Sequence, residues 1–277
     1  MSKVNGLLSR IKMKNFYDEC LVLIMLDDVA EKCRQTNQLY QDVIVSPERF
    51  EWSPTEVVSI PAPGRPLKPQ LVTPKTVPER RMNGVEGHAS LIHALAHIEF
   101  NAINLALDHC YRFQDLPREY YLNWLEVAKE EVYHFELLQQ HLQTLGYSYG
   151  DFTAHNGLWE MALKTETSAL QRMAMVPRTL EARGIDAVPP MQQKLLNMRD
   201  KAGVAVLDII HQDEIKHVAY GDKWFKYCCR QANLSAEETY FQLLEQHDAP
   251  RVRGAYNRSD RRKAGFSDVE LERLLTR

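Results

Sequence analysis

Two short motifs in this chain have residue types and spacing suited to chemistry. Glu131-Val-Tyr-His134 and Glu214-Ile-Lys-His217 are each a Glu-x-x-His, and i to i+3 spacing puts both side chains on one face of a helix. The faces matter more than the motif. Around the first pair the stripe reads Trp124, Val127, Ala128, Glu131, His134, Phe135, Leu138. Around the second it reads Val206, Leu207, Ile210, Glu214, His217, Val218, Gly221. In both, a carboxylate and an imidazole interrupt an apolar face of the kind that packs into a core. A third stripe, Ile92, Leu95, Ala96, Glu99, Ala102, Ile103, Ala106, has one acid in its middle and no lysine or arginine. An ionised carboxylate buried there costs several kcal/mol unless something compensates it, and a bound cation is the natural compensation.

A fourth acid is expected from the segment between the two motifs, where Glu160, Glu166 and Glu181 are the candidates. Glu166 lies on a good apolar stripe with Trp159, Leu163, Leu170 and Met173, so face alone does not choose. Spacing favours Glu181 over Glu166: Glu99 precedes Glu131 by 32 positions and Glu181 precedes Glu214 by 33. Two helical hairpins of equal reach would bring those four acids to one level, whereas Glu166 would lie about 22 Å away along the same helix. The expected ligands are Glu99, Glu131, His134, Glu181, Glu214 and His217, the set of di-iron and di-manganese carboxylate proteins. Such donors suit two ions of iron, or of manganese, better than a thiolate zinc site. Glu130 and Asp213 each precede a ligand glutamate and are placed to receive the N–H of a histidine on a partner helix, the alternative for Glu130 being a solvated acid. His97 and His211 are expected beside the ligands rather than among them, as is His93. Tyr133 and Tyr220 lie near ligands in sequence, where packing is the ordinary role of a tyrosine.

The elements that must position these residues follow from the pattern of apolar side chains and breakers. Residues 83–232 are poor in proline and read as four long segments, roughly 84–110, 117–145, 156–183 and 200–232, with Gly146 and Gly184 as C-terminal stops. Four helices of that length make a large bundle, so the expected fold is all-α, a ferritin-like four-helix bundle. An N-terminal helical segment (1–46) precedes it. Residues 47–82 form a proline-rich strap: 47–78 hold eight of the 13 prolines, and a residue without an amide donor cannot sustain helix. Val57, Val58, Ile60, Leu71 and Val72 are expected to press that strap onto a surface. Residues 233–277 form a basic extension with short helices, one at 235–247 and one opened by a Ser267/Glu270 capping box.

Composition sets the outer limits. Hydrophobic residues are 44% and charged residues 26% of the 277, with a formal net charge of -3, so nucleic-acid contact would need a local patch. Arg251, Arg253, Arg258, Arg261, Arg262 and Lys263 form the one such run, an anion or RNA contact if they are not simply a solvated tail. No apolar run reaches the roughly 20 residues that span a bilayer. The five cysteines have no Cys-x-x-Cys spacing, which points to idle thiols in a reducing cytoplasm rather than disulfides.

The blocks HALAHIEFNAINLALD, EEVYHFELL, GDFTAHNGLWEMA, MVPRTLEARGID and HQDEIKHVAYGDKWF resemble the ferritin-like family called "domain of unknown function 455". GRPLKPQLVTPKTVPERR and AYNRSDRRKAGF are similar to it too, so the resemblance runs from about residue 50 nearly to the end. It implies the bundle and a metal centre, and Glu181 falls within one of the family blocks. A tRNA-modifying hydroxylase branch of the wider group is distantly similar. The expected function is an O2-activating oxygenase or hydroxylase fed by an external electron donor, acting on a small molecule or a tRNA, with no membrane partner. Alternatives are a ferroxidase or iron-handling protein, and a non-enzymatic scaffold stabilised by metal.

Overall fold

The computed structural model describes residues 13–73, 76, 84–251 and 256–277. The chain is predominantly helical: α1 (Phe16–Met25), α2 (Val29–Val45), α3 (Val85–Arg112), α4 (Arg118–Thr144), α5 (Gly157–Lys164), α6 (Ala169–Met175), α7 (Ala182–Asn197), α8 (Lys201–Gln231), α9 (Ala236–Gln246), α10 (Arg258–Lys263) and α11 (Asp268–Thr276). A π turn, Val176–Glu181, joins α6 to α7. Two-residue strands, β1 (Lys14–Asn15) and β2 (Phe50–Glu51), pair in parallel. The chain forms two compact units, one of residues 1–66 and 103–132 and the other of residues 67–102 and 133–277. Both α3 and α4 run as continuous helix through the boundary.

The first unit is built on aromatic packing. Phe16 stacks on Trp52 at 4.1 Å between ring centroids, and Tyr17 and Tyr121 pack edge-on at 5.4 Å. Arg118 lies 4.5 Å over the Trp52 ring. Lys32 is fully buried, and its Nζ meets three acceptors, the Ile24 carbonyl at 3.0 Å, the Gly64 carbonyl at 2.7 Å and Asn104 Oδ1. The proline stretch within this unit is extended after a short 3-10 turn at Pro47–Arg49. Its attachment differs from the sequence expectation. Ile60 is buried, but Val57 and Val58 face solvent, and backbone bonds do the holding. Val58 N–H donates to Tyr111 Oη at 2.9 Å, and Thr55 N–H to Gln114 Oε1 at 2.6 Å. Prolines leave the intervening amides without helical partners, so side chains at the end of α3 and just beyond it satisfy them instead. In the second unit the stretch continues as a bridge to Ala154, with Val72 N–H donating to the Ala154 carbonyl at 2.8 Å. Leu71 and Val72 are half-buried there, and residues 74–75 and 77–82 of the strap lie outside the described residues.

In the second unit α8 packs along α6, the π turn, α7 and α9. The segment expected as one helix over 156–183 is four pieces. Helix α5 stops at Lys164, where Thr165 Oγ1 donates to the Met161 carbonyl at 2.8 Å. Buried Arg172 closes that end by donating to the Ala162 carbonyl at 2.6 Å and to Thr165 Oγ1 at 2.8 Å. Pro177 lies in the π turn, where the wider backbone tolerates a missing amide donor. Gly184 does not end the helix, because its φ is not positive, and α7 continues through Pro189 and Pro190 to Asn197. Gly146, at φ 82°, does end α4.

The C-terminal stretch is pinned rather than loose. Arg178 of the π turn is fully buried under the rings of Phe225, Tyr240 and Phe266, with Tyr240 nearest at 4.2 Å. It pairs with Glu270 at 2.7 Å and Asp222 at 3.1 Å. Ser267 and Glu270 form the capping box of α11.

Candidate metal centre

Glu99 of α3, Glu131 and His134 of α4, and Glu214 of α8 each offer one ligand atom, all within 4.8 Å of one another. Each of the four is less than one tenth exposed. Helical spacing explains the local arrangement: Glu131 precedes His134 by one turn on the same face. Phe100 and Phe135, next along α3 and α4, pack on each other at 5.6 Å and are both buried. No lysine or arginine lies on the Glu99 stripe.

The His134 ring is oriented in a way that bears on chemistry. Its Nε2 lies 3.0 Å from Asp213 Oδ2, and its Nδ1 lies 3.4 Å from Glu99 Oε2. The hydrogen bond from His134, against burial, holds the Asp213 carboxyl below the usual range, so Asp213 is an anionic acceptor. A neutral imidazole carries one N–H, and Asp213 takes it. Nδ1 then presents a lone pair toward a carboxylate oxygen. That pairing is repulsive unless a cation, either a metal ion or a second proton, lies between them.

His217 is fully buried, with Nδ1 3.7 Å from Glu214 Oε1 and its ring 5.8 Å from that of His134. It lies outside the four-residue group, as does Glu181, which is half-buried at the end of the π turn. Glu166 falls in the turn between α5 and α6. Glu130 is half-buried on α4, Tyr133 is exposed and Tyr220 is half-buried. His97 is committed elsewhere: Nδ1 accepts from Tyr149 Oη at 2.8 Å and Nε2 donates to the His155 carbonyl at 3.1 Å. His93 Nε2 accepts the Gly150 N–H at 2.9 Å. His211 Nε2 is 2.9 Å from Asp260 Oδ2, tying α8 to α10.

The basic run is largely spent on the chain's own acids. Arg258 pairs with Glu272, Arg261 with Asp186 at 2.7 Å, Arg262 with Asp268 at 2.6 Å, and Lys263 with Asp260 at 2.7 Å. Arg261 is buried, while Arg251 is exposed. Arg253 lies outside the described residues.

A second group escaped the sequence reading. His88 Nε2 and His141 Nε2 each lie 2.7 Å from Asp200 Oδ2. Its sequence signal is spacing: His88 is 11 positions before Glu99, His141 is 7 after His134 and Asp200 is 14 before Glu214. Offsets of 7, 11 and 14 residues return to nearly the same helix face.

The family model for proteins of unknown function DUF455 matches residues 25–272. An uncharacterized protein of Haemophilus influenzae is 42% identical over 266 residues, covering 93% of this chain and 92% of its own length. No solved structure matches the chain. The family match includes α3, α4 and α8 with every residue of the acid and histidine group, and the chain belongs to the DUF455 family.

Proposed function

We propose that this chain is a ferritin-like, dinuclear metal-carboxylate protein, with iron the best-fitting metal and manganese next, that activates O2 to hydroxylate or oxygenate a substrate. The observation that carries the reading is the His134 ring. With its N–H given to Asp213, its Nδ1 lone pair faces Glu99 Oε2 at 3.4 Å, an arrangement suited to a shared cation. Glu99, Glu131, His134 and Glu214 would hold the metal, and His217 and Glu181 are the residues that would complete a six-ligand set. Two bound ions would supply charge neutralisation and the electrons for O2 chemistry. The chain's own part is to orient His134 through Asp213 and to hold the candidate ligand side chains buried, away from bulk water. Continued turnover needs electrons from an external donor. The internal pairing of Arg258, Arg261, Arg262 and Lys263 favours a small-molecule substrate over a tRNA.

The test is elemental analysis of protein purified without added metal, beside a Glu131→Ala, Glu214→Ala variant. The expected result is about two iron or manganese ions per chain, lost in a variant that still unfolds cooperatively. Reductant-driven O2 consumption should be lost with the metal. Metal-free protein that cannot be loaded, with the fold unchanged in the variant, would overturn the reading.

A further inference from the structure

We propose that His88, His141 and Asp200 form a second, mononuclear site for a divalent transition-metal ion, zinc by the character of its donors, separate from the acid-rich centre. The three side chains are each at most 10% exposed, and each offers a ligand atom within 4.8 Å of the others. They come from three helix ends: His88 from the first turn of α3, His141 from the last turn of α4, and Asp200 as the N-cap of α8. Asp200 is fixed by its own backbone role. Its Oδ1 accepts the Gly203 N–H at 2.8 Å, which aims Oδ2 at the two imidazoles. Both Nε2 atoms converge on that single oxygen at 2.7 Å. Among the described residues no lysine or arginine pairs with Asp200.

Two neutral imidazoles and one carboxylate are a common donor set for zinc or ferrous iron, and three protein ligands leave a coordination position open. The set is poorer in carboxylate than the Glu99 group, so the two sites would prefer different metals. They are also distinct in space. Along the helices, His88 is about 16 Å from Glu99, His141 about 10 Å from His134, and Asp200 about 21 Å from Glu214, at 1.5 Å per residue. Binding has a geometric consequence. Metal bonds of about 2.0–2.1 Å at tetrahedral angles hold ligand atoms about 3.3 Å apart. The two 2.7 Å separations must therefore open by about half an ångström when the ion enters.

The inference does not depend on the acid-rich centre holding metal, and the test keeps the two apart. Zinc uptake is measured on the full chain in a Glu131→Gln, Glu214→Gln background, with and without His88→Gln and His141→Gln. The expected result is one tight zinc in the background protein, weakened at least 100-fold when the two histidines are also replaced. Equal uptake and affinity with and without the histidines, or no zinc bound to either protein, would overturn the site and leave a hydrogen-bonded histidine pair. If the histidine variants do not fold, zinc-edge anomalous diffraction on the unsubstituted chain decides. A peak between His88, His141 and Asp200 supports the site, and density elsewhere or none rejects it. Absence of iron and manganese from the unsubstituted chain, with zinc still bound here, would count against the proposed function and not against this site.

Discussion

The proposed metal centre depends at the level of single residues on one proton. His134 Nε2 points at Asp213 Oδ2, which leaves Nδ1 turned toward Glu99. Among the described residues Asp213 hydrogen-bonds to His134, a candidate ligand, so its role in the proposed centre is positioning. Replacing Asp213 by alanine should therefore lower metal affinity by about 10–100-fold, and by asparagine less, since the amide oxygen still accepts from Nε2. Competition against a chelator measures the affinity, and the ¹⁵N shifts of the His134 ring report the tautomer. An alanine variant with wild-type affinity and an unchanged tautomer would remove Asp213 from the centre. This level was the most legible in sequence, because an acid or imidazole in an apolar stripe is conspicuous. Glu99, Glu131, His134 and Glu214 were identified that way and lie together. His88, His141 and Asp200 were not, because Asp200 is an N-cap, where a polar residue has an ordinary role, and the two histidines lie in the end turns of their helices.

Between residue and fold stand the helices, and here a local irregularity limits what periodicity can tell. The π turn Val176–Glu181 inserts an extra residue into the helical count and rotates everything beyond it by about 100°. A 3.6-residue pattern thus gives no reliable face for Glu181, and neither Pro177 nor the paired prolines of α7 end the helix as prolines usually do. The turn packs closely on α8 at Gly221, where an added Cβ would come within 2.4 Å of both Pro177 Cβ and Cγ. Two effects compete in Gly221→Ala. Helix propensity alone would stabilise by about 1 kcal/mol, while overpacking costs about 1–3 kcal/mol. The proline ring cannot rotate away, so overpacking should win, with a net loss of stability in urea unfolding. Adding Pro177→Ala, which removes Cγ but keeps Cβ, should recover part of that loss. A Gly221→Ala protein more stable than the parent would show that the π turn yields easily.

For the whole molecule, composition and breakers announced an all-α chain with an extended proline stretch, but not what fastens that stretch. Patterning ranks side chains by burial, whereas the attachments are polar: Tyr111 and Gln114 on backbone amides, and Lys32 on three acceptors. A lysine in a helix normally reads as solvated, so nothing in the sequence marked Lys32 as the tie among α1, the proline stretch and α3. Burial drives its pKa down to about 7, against an ordinary lysine value of 10.5. The folded value lies below the unfolded one, so between about pH 7 and 10 the unfolded chain binds more protons at this site. Stability from Lys32 should consequently rise with pH through that window, by up to about 1.4 kcal/mol per unit, and be lowest below pH 7. Lys32→Met removes the titration and also strips a donor from three acceptors, one of them a side chain buried with it. It should therefore be less stable than the parent at pH 9, by about 2–4 kcal/mol, and the deficit should shrink toward pH 7 as the parent takes on the cost of a buried charge. Urea unfolding of both proteins at pH 7, 8 and 9 measures the two quantities together. A difference between them that stays constant across those three pH values would mean that Lys32 remains fully protonated in the fold, its charge held by the three dipoles that meet it.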